Sequence, residues 1–533
     1  MLFTPSSSNM ALIALTSIPG EEASKTLIGA LENNEGEALI GIINTLGLRR
    51  DPKANQPLNG FISSEDQHVA NASIHALGTI GGEQASQILQ EAFVSTTNTR
   101  KWKIAEAWIK SVESLEPAQR KLSYQTVLDS NPPLSLKYVA FKKNLKLVPE
   151  DKQVSHLLDA LNNSNQEFQE AVIPLIRNLP STLSMKPFIN EFSIYPDRTQ
   201  IQLMLAIADR KDESIRPFVI QKLKSNNPED RIAALKALSK VSNYRDINML
   251  VKLAVSKTGI EQELARACLY WMKGENVDRK ILSELEFANA QVKPELIKCV
   301  GYRKIEDGRK VLMGYLSSKN KLIRVEAIKA VGIVASHEDL AKVIDLTLSN
   351  VKTTELEAIE YSITSIAFND PVSSVPIIGE KLTSYQNALS ISILINVAGK
   401  LGGDQALTII RPYLNNDQEE IQFSCIKALS AWRDDTPLPD LEALIQSTLS
   451  QKNRSQAMVG IVYLVQNSTS LSEDLKAAKL ENAYSFAKSD MDLKIIVNGI
   501  SRVVSLDALD FVIVQLGNDA IEAEVEEAII RIA

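Results

Sequence analysis

The 533-residue sequence predicts an all-α fold, an α-solenoid (superhelix) of about sixteen short helix pairs. Three observations predict it. A short motif recurs at multiples of one spacing, apolar residues inside each copy recur at helical intervals, and Leu, Ile and Ala carry the apolar load while aromatics make up only 5%. Four segments superpose around a Lys/His-Ala-aliphatic core: Glu65 to Leu77, Asn227 to Leu238, Asn320 to Val331 and Asp417 to Leu429. Their marker alanines Ala76, Ala237, Ala330 and Ala428 lie 161, 93 and 98 residues apart, close to five, three and three units of about 31–33 residues.

Within one unit, Ile232, Leu235, Leu238 and Val241 share a helix face, with Ala233, Ala234 and Ala237 beside them for close approach. A turn at 242–246 leads to a second helix carrying Ile247, Leu250, Leu253 and Ala254. Equivalent second helices run from Leu340 and from Ala406, and Asn227 before Pro228 reads as a cap with proline at the first helical position. Gly81-Gly82 and Gly402-Gly403 read as tight interhelical turns. Neither follows a strand or precedes Lys-Ser/Thr, as a phosphate loop would require.

One pair buries three or four large aliphatics, each contributing about 1.5–3 kcal/mol. That does not offset ordering about 30 residues at ~1–2 kcal/mol each. The pairs must therefore stack, as a single array over residues 1–533 with less regular units near 98–130 and 451–490. Neither end shows a clear polar cap, and the chain reads as a piece of something longer.

Composition narrows the function classes. A net charge of −7 gives no basic stripe, which disfavours nucleic acid as a partner. Cys268, Cys299 and Cys425 fall inside apolar stretches and read as buried small side chains, with no metal or disulfide spacing. No run of 18 apolar residues marks a membrane span, and the first residues lack the features of a signal peptide. His68, His75, His156 and His337 form no metal pattern, and His75 occupies the surface slot held elsewhere by Lys236, Lys329 and Lys427. No Gly-x-Ser-x-Gly elbow is present. The expectation is no catalytic residue, no metal and no cofactor, with carboxylates on solvated helix faces.

Two stretches are locally basic with interleaved aromatics, 100–146 and 293–329, each with ten Lys/Arg against four acids. They nominate Arg100, Lys101, Trp102, Lys103, Trp108, Lys142, Lys143, Arg303, Lys304, Arg309 and Lys310 as residues for an acidic protein partner or polyanion. Arg231 and Arg324 share a repeat slot that Ala70 and Gln422 fill elsewhere, and each is expected to pair with an acid of the adjacent unit. The final segment, 507–533, carries seven acids and one Arg, an asymmetry suited to steering partners.

The short period resembles bacterial HEAT arrays, including the HEAT-like repeats of phycobilin lyases; the marker residues of TPR and ankyrin repeats do not occur. The segments Ala38 to Asp51 and His75 to Ala85 resemble the HEAT region of large exported bacterial proteins of Bacteroidetes and Planctomycetes type. There the repeats adjoin a 3-keto-disaccharide hydrolase (DUF1080-type) or c-type haem domain. This chain has no Cys-x-x-Cys-His and no β-rich stretch, so that chemistry does not carry over. The resemblance implies a scaffold with a glycan-related neighbouring domain, periplasmic or extracellular, with a cytoplasmic setting as the alternative. The function expected is a non-catalytic HEAT-like scaffold that binds a protein partner in a concave groove lined by second helices. Two alternatives stand beside it: a nucleic-acid-binding relative of the alkylpurine DNA glycosylases, and an enzyme-assisting protein of the bilin-lyase kind.

Overall fold

The computed structural model describes residues 5–447 and 449–533, and among these the secondary structure is helical, with no strand. First helices alternate with second helices along the chain. Between the helices beginning at Gln67 and Pro228 the repeat advances five times, and then three times to Lys321 and three to Glu419, as the marker alanines require. Sixteen such pairs, followed by a last helix Glu522–Ile532, can be counted among the described residues. The chain is an α-solenoid. It divides into two compact units, one ending at Val241 and the other running Ser242–Ala533.

Short polar side chains start the first helices. Asp66 accepts from the backbone N–H of His68 at 2.8 Å, Asn227 from Glu229 at 3.0 Å, Asn320 from Leu322 at 3.0 Å and Asn387 from Ser390 at 2.9 Å. At both Gly-Gly corners the two glycines have positive φ, 68° and 85° at Gly81-Gly82 and 73° and 82° at Gly402-Gly403. Helix therefore passes to helix without a loop.

Stacking rests on a small-residue contact between consecutive first helices. A Cβ built on Gly47 would lie 2.8 Å from the Cα of Ala76, and one on Gly78 would lie 2.9 Å from that of Ala107. In the second unit the partners are Gly301 with Ala330 at 3.2 Å, Gly332 with Ser362 at 2.7 Å, and Gly399 with the Ala428 Cβ at 2.6 Å. Three of the four marker alanines, Ala76, Ala330 and Ala428, are thus the surfaces onto which the preceding repeat's glycine packs. Contact between consecutive second helices is much sparser.

Two recurrent polar devices tie a repeat to its neighbour or to its own entry turn. Late in a first helix, an arginine reaches back to carbonyls at the end of the preceding first helix, which have no helical donor of their own. Arg49 holds the carbonyls of Leu15, Ile18 and Gly20, Arg210 those of Ile176, Leu179 and Pro180, and Arg303 those of Leu269, Tyr270 and Met272. The second device occupies the fourth position of a first helix, where a long donor binds the turn that leads into its own helix. Gln262 donates to the Ala254 carbonyl at 2.7 Å and Gln422 to that of Leu414 at 3.0 Å. In the same position Arg231 takes the carbonyls of Ser225 and Asn226, and the buried Arg454 those of Ile445 and Ser447.

The slot shared by Arg231 and Arg324 therefore serves first to hold a turn. Arg324 does this through Ser318 and also makes the expected pairing with the next unit, its Nε donating to Glu355 at 3.0 Å. One expectation is corrected here. Several carboxylates are not on solvated faces, because Glu295, Glu355 and Asp492 are buried and each accepts from side-chain donors. Burial pushes the Asp492 carboxyl up, but bonds from Ser455, Gln451, the Lys488 backbone and Ser489 outweigh it and hold the group below the usual carboxylate range. The three cysteines are buried, and burial pushes each thiol up to about 12.

Candidate functional site

A groove of about 780 Å³ lies in the second unit over four consecutive first helices: Gly259–Trp271, Lys293–Tyr302, Lys321–Val334 and Leu356–Ala367. Second helices were expected to line such a groove, and here the first helices do. The reason is the glycine contact: Gly301 and Ala330 bring two first helices together and lie in the groove themselves. Long side chains from flanking positions stand up around them.

Those positions follow the repeat. Gly332 packs on Ser362 as Gly301 packs on Ala330, so Lys298, Lys329 and Tyr361 each directly precede an equivalent residue. All three line the groove. The slot that carries His75, Lys236 and Lys427 in other units is therefore the one that faces the groove in these.

Three tyrosines give the groove its character. The rings of Tyr270 and Tyr302 stack with centroids 4.3 Å apart and planes 19° from parallel. Tyr302 is 63% exposed, which leaves its other face open, and Tyr361 is 49% exposed. Tyr270 is the inner member of the stack, and burial raises its phenol above the usual range.

Beneath the aromatics runs a charged brace. Arg266 donates through Nε to Glu295 at 2.8 Å, and Lys298 donates to the same carboxylate at 3.0 Å. Burial pushes the Glu295 carboxyl up, and the bonds from Arg266 and Lys298 more than reverse this, so its pKa sits below the ordinary value. A carboxylate depressed on folding contributes stability that is present above its unfolded pKa and lost as pH falls through the folded one. Acidification below the usual carboxylate range is therefore expected to loosen the 259–302 pair of first helices. Hydrogen exchange should show their amides losing protection at acid pH in the native protein. In Glu295→Gln this acid-dependent change should be absent, with lower protection already at neutral pH.

The sequence-nominated residues divide between the units. In the first, Trp102, Lys103 and Lys143 meet in a second groove of about 490 Å³ between the helices Arg100–Ser111 and Leu134–Leu145. Lys110 joins them, and Ile109, Leu136 and Val139 supply apolar walls. Lys143 pairs with Glu113. The other residues of that stretch are occupied elsewhere. Arg100 holds the carbonyls of Ile62 and Ser64 at 3.0 and 3.1 Å, Lys101 lies 4.6 Å from the Phe93 ring centroid, and Lys142 is 5.8 Å from that of Tyr138. Trp108 is buried, its indole N–H donating to Ser86 at 3.1 Å.

In the second unit Arg303 serves as the carbonyl clamp and also pairs with Asp278 at 2.7 Å. Arg309 faces Asp339 at 3.2 Å, while Lys304 and Lys310 are exposed. None of these four lines the tyrosine groove. Sequence reasoning missed Arg266, Glu326, Glu357 and Tyr361. The signal that finds Tyr361 is its register with Lys329.

No group of three or more metal-ligating side chains is present among the described residues, and none of their helices is long and apolar enough to cross a membrane. Residues 24–108 match the family model for HEAT repeats. No curated protein sequence matches the chain. Among solved structures, a chain in the structure of Kap95p with RanGDP aligns over 99% of this chain and 91% of its own, at 11% identity and a TM-score of 0.39. The karyopherin Kap121p, bound to the extreme C-terminus of the protein phosphatase Cdc14p, aligns over 99% of this chain and 74% of its own, at 11% identity and a TM-score of 0.40.

Proposed function

We propose that the chain is a non-catalytic HEAT-like scaffold that receives an extended segment of a protein partner across the first helices of residues 259–367. The observation that carries this reading is the tyrosine groove. It is open along several repeats, it offers exposed ring faces and phenol hydroxyls, and its charged residues of both signs are largely matched within the protein. Rigid aromatic anchors over a fixed backbone floor bind with little loss of side-chain entropy. The resemblance of Ala38 to Asp51 and His75 to Ala85 to repeats that adjoin saccharide-active domains supports a saccharide-related setting outside the cytoplasm. The groove at Trp102, Lys103 and Lys143 is a second contact point, suited by its lysines and apolar walls to an acidic segment.

The test is affinity capture from the native source, followed by binding measurements on the captured partner. Tyr302→Ala/Tyr361→Ala is expected to weaken that binding about tenfold or more, because both exposed rings line the groove. Hydrogen exchange should place the footprint on helices Lys293–Tyr302 and Lys321–Val334. A partner bound equally well by the double variant, with a footprint elsewhere, would refute the assignment.

A further inference from the structure

The second helices Glu473–Tyr484 and Leu506–Val514 enclose a groove of about 360 Å³ that plays no part in the reading above. From the later helix, Asp507, Asp510, Phe511 and Val514 line it, at the i, i+3, i+4 and i+7 positions of one helical face. From the earlier helix come Ala478 and Glu481. Phe511 is fixed edge-on against Tyr484, centroids 5.1 Å apart at 84°, and the Tyr484 hydroxyl donates to Gln515 at 2.8 Å. The apolar part is open to solvent at Val514, which is 78% exposed.

Charge is one-sided here, unlike in the tyrosine groove. Three carboxylates and no Lys or Arg line the groove. The lysines of the earlier helix are engaged elsewhere, Lys476 with Glu473 and Lys479 with Glu442, both at 2.8 Å. Burial, and then the negative charge of Asp507, raise the Glu481 carboxyl above its usual value. The acids are thus crowded without a cation to relieve them.

The geometry points to a basic amphipathic helix of a partner protein as the occupant of this groove. Its large apolar side chain packs on Phe511 and Val514, and its Lys or Arg side chains pair with Glu481, Asp507 and Asp510. A ridge of side chains lying between two neighbouring helices is the ordinary helix-in-groove mode. From Asp507 to Val514 the lining helix advances about 10 Å, two turns, so the ligand's apolar anchor and basic residue lie about seven positions apart.

The experiment uses the full chain and a fluorescent amphipathic peptide of leucine, lysine and alanine that carries this two-turn spacing. Two control peptides have the same composition shuffled, or glutamate for lysine. Binding is expected to the first peptide only and to weaken as salt rises. Asp507→Asn/Asp510→Asn and Val514→Ser are each expected to weaken it about tenfold. These side chains are exposed, so thermal unfolding followed by circular dichroism should be unchanged. No binding, equal binding of the shuffled peptide, or loss with the Asp pair but not with Val514→Ser would overturn the proposal, the last two by revealing simple attraction to a polyanion. Tyr302→Ala/Tyr361→Ala should bind this peptide normally, so the two grooves stand or fall separately.

Discussion

Arg324→Ala is expected to destabilise the second unit by about 3–5 kcal/mol, the cost of leaving a buried carboxylate without its cation. Glu355 has a side chain only 3% exposed, and Arg324 is the basic group that reaches it, with a side chain 12% exposed. The arginine also holds the Ser318 carbonyl, so its removal frees two acceptors at once. Chemical denaturation and hydrogen exchange of helices Lys321–Val334 and Leu356–Ala367 measure the loss. Replacing both partners with apolar residues, as in Arg324→Met/Glu355→Leu, should recover most of it. If the single variant is as stable as the native protein, the pair is not structural.

Gly332→Leu is expected to cost about 3 kcal/mol or more, and even Gly332→Ala should destabilise by about 1–2 kcal/mol. The sign is the informative part. Alanine in place of a helical glycine ordinarily stabilises by about 1 kcal/mol. Here the added carbon would lie 2.7 Å from the Cα of Ser362, and backbone cannot rotate out of the way. Gly314→Ala is the control, because nothing lies within 4 Å of its built Cβ and its helix is exposed there. It should be neutral or stabilising. Arrays of repeats unfold in parts, so local exchange protection is the better readout than a single midpoint.

Much of this was legible in the sequence for a physical reason. The repeat shows wherever a unit keeps the small residue onto which its neighbour packs, as at Ala76, Ala330 and Ala428. The contact itself can be read as a small or branched residue, one aliphatic or alanine, and a glycine: Ala76-Leu-Gly78, Cys299-Val-Gly301, Ala330-Val-Gly332 and Val397-Ala-Gly399. Which helices would line a groove was not legible, because amphipathic spacing marks the buried face and is silent about which exposed face narrows.

The basic stretches divide for a related reason. Arg100 and Arg303 count as surface charge in a composition window, yet their guanidinium groups are committed to backbone carbonyls of the preceding unit. Tyr361 was hidden because it replaces lysine in its slot, and only the packing of Gly332 on Ser362 restores the register.

The row of glycine contacts also has a mechanical consequence. Backbone touching backbone is nearly incompressible, whereas contact between consecutive second helices is much sparser. Within each unit, elastic strain should therefore collect on the second-helix side while the more closely packed first helices act as a stiff spine. A pull along the chain would first fan the second helices apart, leaving the spacing of the tyrosines almost unchanged until a glycine contact breaks.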